Sequence, residues 1–78
     1  MDNNHALAKY LLIANVVELM AREYKIPFSE ARDRLYKSDV VSLIEDDETG
    51  LYGDSPWYVF SLYERHLEKN ILKNEKRT

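Results

Sequence analysis

Apolar residues recur at helical spacing along most of this chain, and no segment shows the strict apolar-polar alternation of a half-buried strand. The longest helical pattern runs to Tyr24 and follows Asp2, Asn3 and Asn4, any of which can accept a hydrogen bond from a free N-terminal amide. At about 100° per residue, Ala6, Leu7, Tyr10, Ile13, Ala14, Val17, Met20, Ala21 and Tyr24 fall on one broad face, the expected core stripe. Leu12, Val16 and Leu19 lie on a different side, beside Lys9 and Glu23. A helix apolar on two sides is either central to its own domain or shared with another chain.

Pro27 disfavours helical geometry at Ile26 and ends this first helix. Ser29 is the expected N-cap of a second, over Glu30 to Lys37, whose Ala31, Leu35 and Tyr36 face inward with Phe28 and whose Glu30 and Arg34 form an i, i+4 pair. Ser38 or Asp39 caps a third, short helix with Val40, Val41, Leu43 and Ile44 on its apolar side. Four consecutive acids, Glu45 to Glu48, stand where the helix dipole disfavours anions and are expected to end that helix and stay hydrated. The stretch TGLYGDSPWYVF, Thr49 to Phe60, then gathers both glycines, one of the two prolines and the only tryptophan, which marks a loop of specified shape. Ser55-Pro56 starts the last helix. Val59, Phe60, Tyr63, Leu67 and Ile71 form its inward stripe with Trp57 at the edge, while Tyr58, Leu62, Arg65, Lys69 and Leu72 line the opposite side. The pattern predicts one all-α domain over residues 1–78, a compact bundle of about four helices with the second and third short and a frayed tail over 73–78.

Composition adds limits. A hydrophobic content of 45% with 32% charged residues is ordinary for a folded domain. The lack of cysteine excludes disulfides and thiolate metal sites and fits a cytoplasmic setting. No basic segment precedes an apolar run at the start, and the apolar segment Tyr10 to Met20 is interrupted by Asn15 and Glu18, so neither export nor a membrane span is expected. A core in a chain of this size supplies roughly 3 to 5 kcal/mol of net stability, which self-association or a partner would supplement. The net charge of -3 is uneven: residues 39–54 carry six acids and no base, while residues 55–78 carry five bases and three acids.

Candidate chemistry is sparse. His5 and His66 are far apart, and no spacing supplies a nucleophile with an orienting carboxylate, so no catalytic residue is assigned and an enzyme is not expected. DDETGLYGD superficially resembles a calcium loop but lacks its alternating acids, and Trp57 stands where the final glutamate belongs, so no metal or cofactor is assigned. Gly50 and Gly53 sit among acids with no following Lys-Ser/Thr, which argues against a phosphate cradle. Helices two and three could be read as a helix-turn-helix, but the segment Ser38 to Glu45 has no base-reading cation and runs into the acids, so nucleic acid is an unlikely partner for it.

The aromatics remain. Phe28, Trp57, Phe60 and Tyr63 are expected in the core, whereas Tyr52 and Tyr58 lie off the calculated core face near Leu62 and suit a surface buried by a partner. The expected partner-binding residues are therefore Leu12, Val16 and Leu19 on the first helix, with Tyr52, Tyr58 and Leu62 near the start of the last, and the expected state is a homodimer or a complex with another protein. In its helix YLLIANVVELMAREY, its IPFSEARDRLY segment and its DDETGLYGDSPWYVFSLY block, the chain resembles small bacterial helical proteins of unknown function encoded near toxin-antitoxin or mobile-element genes. The resemblance implies a non-enzymatic, cytoplasmic interaction module, antitoxin-like or accessory to a neighbouring gene product. The alternative is a nucleic-acid-associated regulator using the basic last helix and tail, Arg65, Lys69, Lys73, Lys76 and Arg77.

Overall fold

A computed structural model of the chain describes the backbone of residues 5–77 and the side chains of residues 5–68. Helix α1 spans Ala6–Tyr24, α2 Phe28–Lys37, α3 Val40–Glu45 and α4 Pro56–Arg77, with two 3-10 turns, Asp47–Thr49 and Leu51–Gly53, between α3 and α4. There is no strand among the described residues, and the expected all-α bundle with short α2 and α3 is the observed fold. Capping by Asp2, Asn3 or Asn4 and the behaviour of the tail side chains fall outside the described residues.

The boundaries follow from local chemistry. Lys25 takes a left-handed conformation after α1 and its amide bonds to the Ala21 carbonyl, so Pro27 meets a helix that has already closed. The N-cap of α2 is Pro27, two residues ahead of the expected Ser29: the Pro27 carbonyl accepts from the amides of Glu30 at 3.1 Å and Ala31 at 3.0 Å, and no side chain caps the helix. Asp39 is the N-cap residue of α3 but makes no side-chain cap bond; the Ser38 hydroxyl before it donates to the Leu35 carbonyl at 2.6 Å and accepts from the Val40 amide at 3.3 Å. The Asp46 carboxylate accepts from the Glu48 amide at 3.0 Å, and Thr49 Oγ1 lies 2.7 Å from the Leu43 carbonyl and accepts from the Leu51 amide at 3.1 Å. Gly50, at φ +66°, turns the chain where a side chain would be strained. Ser55 Oγ then accepts from the Tyr58 amide at 3.2 Å with Pro56 as the first residue of α4, as expected.

Helix α1 lies at the centre and packs against every other helix. Its buried side is Leu12, Ile13, Val16, Val17, Leu19 and Met20. Ala31 and Leu35 from α2, Val40 and Ile44 from α3, Leu51 from the second turn, and Val59, Phe60 and Tyr63 from α4 complete the core. Tyr24 joins α1 to α4, its hydroxyl donating to Glu64 Oε2 at 2.9 Å and its ring 5.6 Å from that of Phe60.

Two expectations are corrected. Leu12, Val16 and Leu19 are core residues, with Val16 fully buried, and cannot meet a partner. The expected core stripe is rotated outward by about a quarter turn, leaving Leu7 and Tyr10 exposed, and Phe28, Tyr36, Trp57 and Leu67 are exposed as well. Trp57 reaches the core only through an edge contact with Phe60 at 6.0 Å.

Val16→Glu therefore places a charge among apolar side chains and is expected to abolish the cooperative thermal transition, whereas Asn15→Glu, at the adjacent exposed position, shifts stability by no more than about 0.5 kcal/mol. Circular dichroism melts of the two variants check this, and a melting Val16→Glu protein indistinguishable from wild type would refute the core assignment. A Cβ at Gly50 meets nothing within 4 Å, so Gly50→Ala carries a purely backbone penalty, expected at about 1 kcal/mol in a urea titration.

Candidate functional site

With the Leu12 side of α1 buried, its opposite side carries Leu7, Tyr10, Leu11 and Ala14 at i, i+3, i+4 and i+7, a continuous apolar ridge along the first half of the helix. Helix α2 runs beside it and presents Phe28, Arg32 and Tyr36 at i, i+4 and i+8. Between the two helices lies a groove of about 420 Å³, floored by Ile13, Ala14 and Val17 and rimmed by Tyr10, Phe28 and Tyr36. Leu7, Tyr10, Leu11, Phe28 and Tyr36 are each between 49% and 68% exposed; Tyr10, Phe28 and Tyr36 meet at the groove, and Leu7 and Leu11 adjoin Tyr10 along α1 outside it.

The polar side chains of the groove differ in their attachments. Lys9 is 8% exposed, and its ammonium donates to the Glu45 carbonyl at 2.9 Å and pairs with Asp47 Oδ1 at 2.6 Å. The hydrogen bond from Lys9 is the main cause that holds the Asp47 carboxyl below its ordinary range. Tyr52, whose ring centroid is 5.9 Å from the Lys9 ammonium, stacks on His5 at 4.2 Å. Arg32 and Glu45 also line the groove, and neither side chain has an ionic partner among the described residues. The other cations of α2 are occupied, Arg34 with Glu30 at 2.6 Å, as expected, and Lys37 with Asp33 at 3.1 Å.

The expected partner residues are dispersed. Leu12, Val16 and Leu19 are in the core, Tyr52 is half-buried at the start of α1, Leu62 is half-buried against the core, and only Tyr58 is openly exposed. Leu62 lines a shallow hollow with Val40, Leu43, Arg65 and His66, and His66 is half-buried with Nε2 3.3 Å from Asp39 Oδ2. The groove residues Tyr10, Phe28 and Tyr36 were visible in the sequence as large aromatics but assigned inward, and the i, i+3, i+4, i+7 ridge through Leu11 was the signal that could have revealed them. Among the described residues, no group of three His, Asp or Glu could hold a metal ion, and no helix is long and apolar enough to cross a membrane. The side chains of Lys69, Lys73, Lys76 and Arg77, on which the nucleic-acid alternative rests, lie outside the described residues.

Because the folded-state pKa of Asp47 is depressed, the stability it contributes is present above the ordinary carboxylate range and is lost as pH falls through the lowered value. Asp47→Asn is thus expected to melt below wild type at neutral pH, with the gap closing below about pH 4. A gap that stays constant down to pH 2 would sever the link between Lys9 and Asp47.

Comparison of the chain with protein-family models, with curated proteins and with solved structures gives no match.

Proposed function

We propose that this protein is a helical protein-interaction module of the cytoplasm that acts by binding rather than by catalysis, and that its binding surface is the outward face of α1 and α2. One observation carries the reading: Tyr10, Phe28 and Tyr36 are exposed rings lining a formed groove between α1 and α2, and Leu7 and Leu11 continue the exposed apolar side of α1 beside Tyr10. Tyrosine and phenylalanine are enriched where proteins meet, and contiguous apolar surface of this kind marks association sites. The antitoxin-like or accessory role implied by the resemblance of the chain to small bacterial helical proteins is one form of this reading. The expected partner face is accordingly moved from Leu12, Val16 and Leu19 to the ridge on the other side of the same helix.

The test compares wild type with Tyr10→Glu and Phe28→Glu by sedimentation and by affinity capture from the native host. Both substitutions are at exposed positions, so melting should be retained while association with itself or with a host protein weakens tenfold or more, an effect of about 1.4 kcal/mol. A wild-type protein that neither self-associates nor captures a host protein, or associations indifferent to both substitutions, would overturn the reading.

A further inference from the structure

We infer that the occupant of the groove is a second copy of this chain, joined about a two-fold axis that sets Arg32 of each subunit against Glu45 of the other. The inference rests on the groove being the binding surface and adds the identity of what fills it. Three observations converge on a copy.

The first is the charge of the groove. Arg32 enters from α2 and Glu45 from the end of α3, so one groove presents one cation and one anion, each without an ionic partner among the described residues. A two-fold interface apposes a patch to itself, residue i against j and j against i, and this pattern is complementary to its own rotated image. A ligand of single sign, such as an acidic peptide, would satisfy Arg32 and leave Glu45 opposed by a like charge. Lys9 does not alter this balance because Asp47 and the Glu45 carbonyl hold its ammonium.

The second is area. Leu7, Tyr10, Leu11, Phe28 and Tyr36, at 49–68% exposure, leave on the order of 500 Å² of side-chain surface open. A standard interface buries about 800 Å² per partner, and a homodimer interface is about 65% apolar, which requires a similar apolar area. The patch therefore has the extent of the apolar centre of one dimer interface. The third is the helix itself: over its first half α1 has apolar residues on nearly every side, its inward ones cover the core, and the outward ridge has the a/d-like spacing by which helices pair.

The experiment uses the full chain and two opposite charge changes, Arg32→Glu and Glu45→Arg. Sedimentation equilibrium should find wild type dimeric at micromolar concentration. Each variant alone opposes like charges at both pairs and should dimerise at least tenfold more weakly. An equimolar mixture restores opposite charges at both pairs and should give a 1:1 heterodimer, identified by native mass spectrometry, at least tenfold tighter than either variant with itself. Tyr10→Glu should dissociate the wild-type dimer, with retained melting as the control for folding in every variant. A wild-type dimer unaffected by the charge changes, or a mixture that fails to pair, would overturn the proposed apposition. A monomeric wild type that captures a host protein in a Tyr10-dependent way would overturn self-association and leave the groove as the binding surface, whereas a monomer that captures nothing would overturn both.

Discussion

An ammonium group on the buried side of a helix costs several kcal/mol unless charge and hydrogen bonds compensate it. Lys9 lies one turn from Leu12 and Ile13 on that side of α1, and it is compensated from one direction only, by the Glu45 carbonyl and the Asp47 carboxylate at the end of α3. The contact ties α1 to the end of α3: the lysine looks toward α3, and the Glu45 carbonyl, at the negative pole of that helix, meets the ammonium. Leu12, Ile13 and Val16 then follow Lys9 into the interior, and α2 and α4 pack on either side.

The same contact gives the acidic run its structural meaning. Four acids after a helix C-terminus oppose the helix dipole. Here the run is divided among separate tasks: the Glu45 carbonyl and Asp47 bind Lys9, and Asp46 accepts from the Glu48 amide and starts a 3-10 turn. Thr49 and Gly50 carry the chain from there to Leu51, which is buried, and Ser55-Pro56 begins α4. The glycine, proline and aromatic residues of TGLYGDSPWYVF thus act mainly as a joint, although Trp57 stays on the outside and meets the core only at the edge of Phe60.

The helices, their order and most of their ends were legible in the sequence because they depend on local signals: Pro27, Ser38, Ser55-Pro56 and the spacing of Ala31 with Leu35 and of Val59 with Tyr63. The facing of α1 was not legible, for a non-local reason. A lysine ordinarily marks the wet side of a helix, so a stripe chosen to keep Lys9 at its margin includes Leu7 and Tyr10 and sets Leu12 and Val16 apart. Its partners are a backbone carbonyl 36 residues away, at Glu45, and Asp47, one of four adjacent acids, and periodicity identifies neither. The same turn of α1 moves the candidate site: the expected core stripe has Ile13, Val17 and Met20 buried but also includes Leu7, Tyr10 and Ala14 of the ridge, and the expected partner face is the core. Phe28 and Tyr36 were misassigned for a related reason: α2 buries only Ala31 and Leu35 against α1, which leaves no inward room on so short a helix for two further rings.

The rotation of α1 also accounts for the open surface. Three helices and the second 3-10 turn pack against α1, and α2, α3 and α4 bury no further residues that could extend across the Leu7 and Leu11 ridge. An apolar circumference of this kind belongs to a helix surrounded on all sides, and the described part of the chain surrounds half of it. If the ridge served only the monomer, polar residues there would be at least as favourable, since they would cost nothing in packing and improve solubility. The sequence places Leu7, Tyr10 and Leu11 there instead, and the groove beside Tyr10 carries Arg32 and Glu45, neither with an ionic partner among the described residues, which is the pattern of apolar area and opposite charge from which pairing with a second copy is proposed.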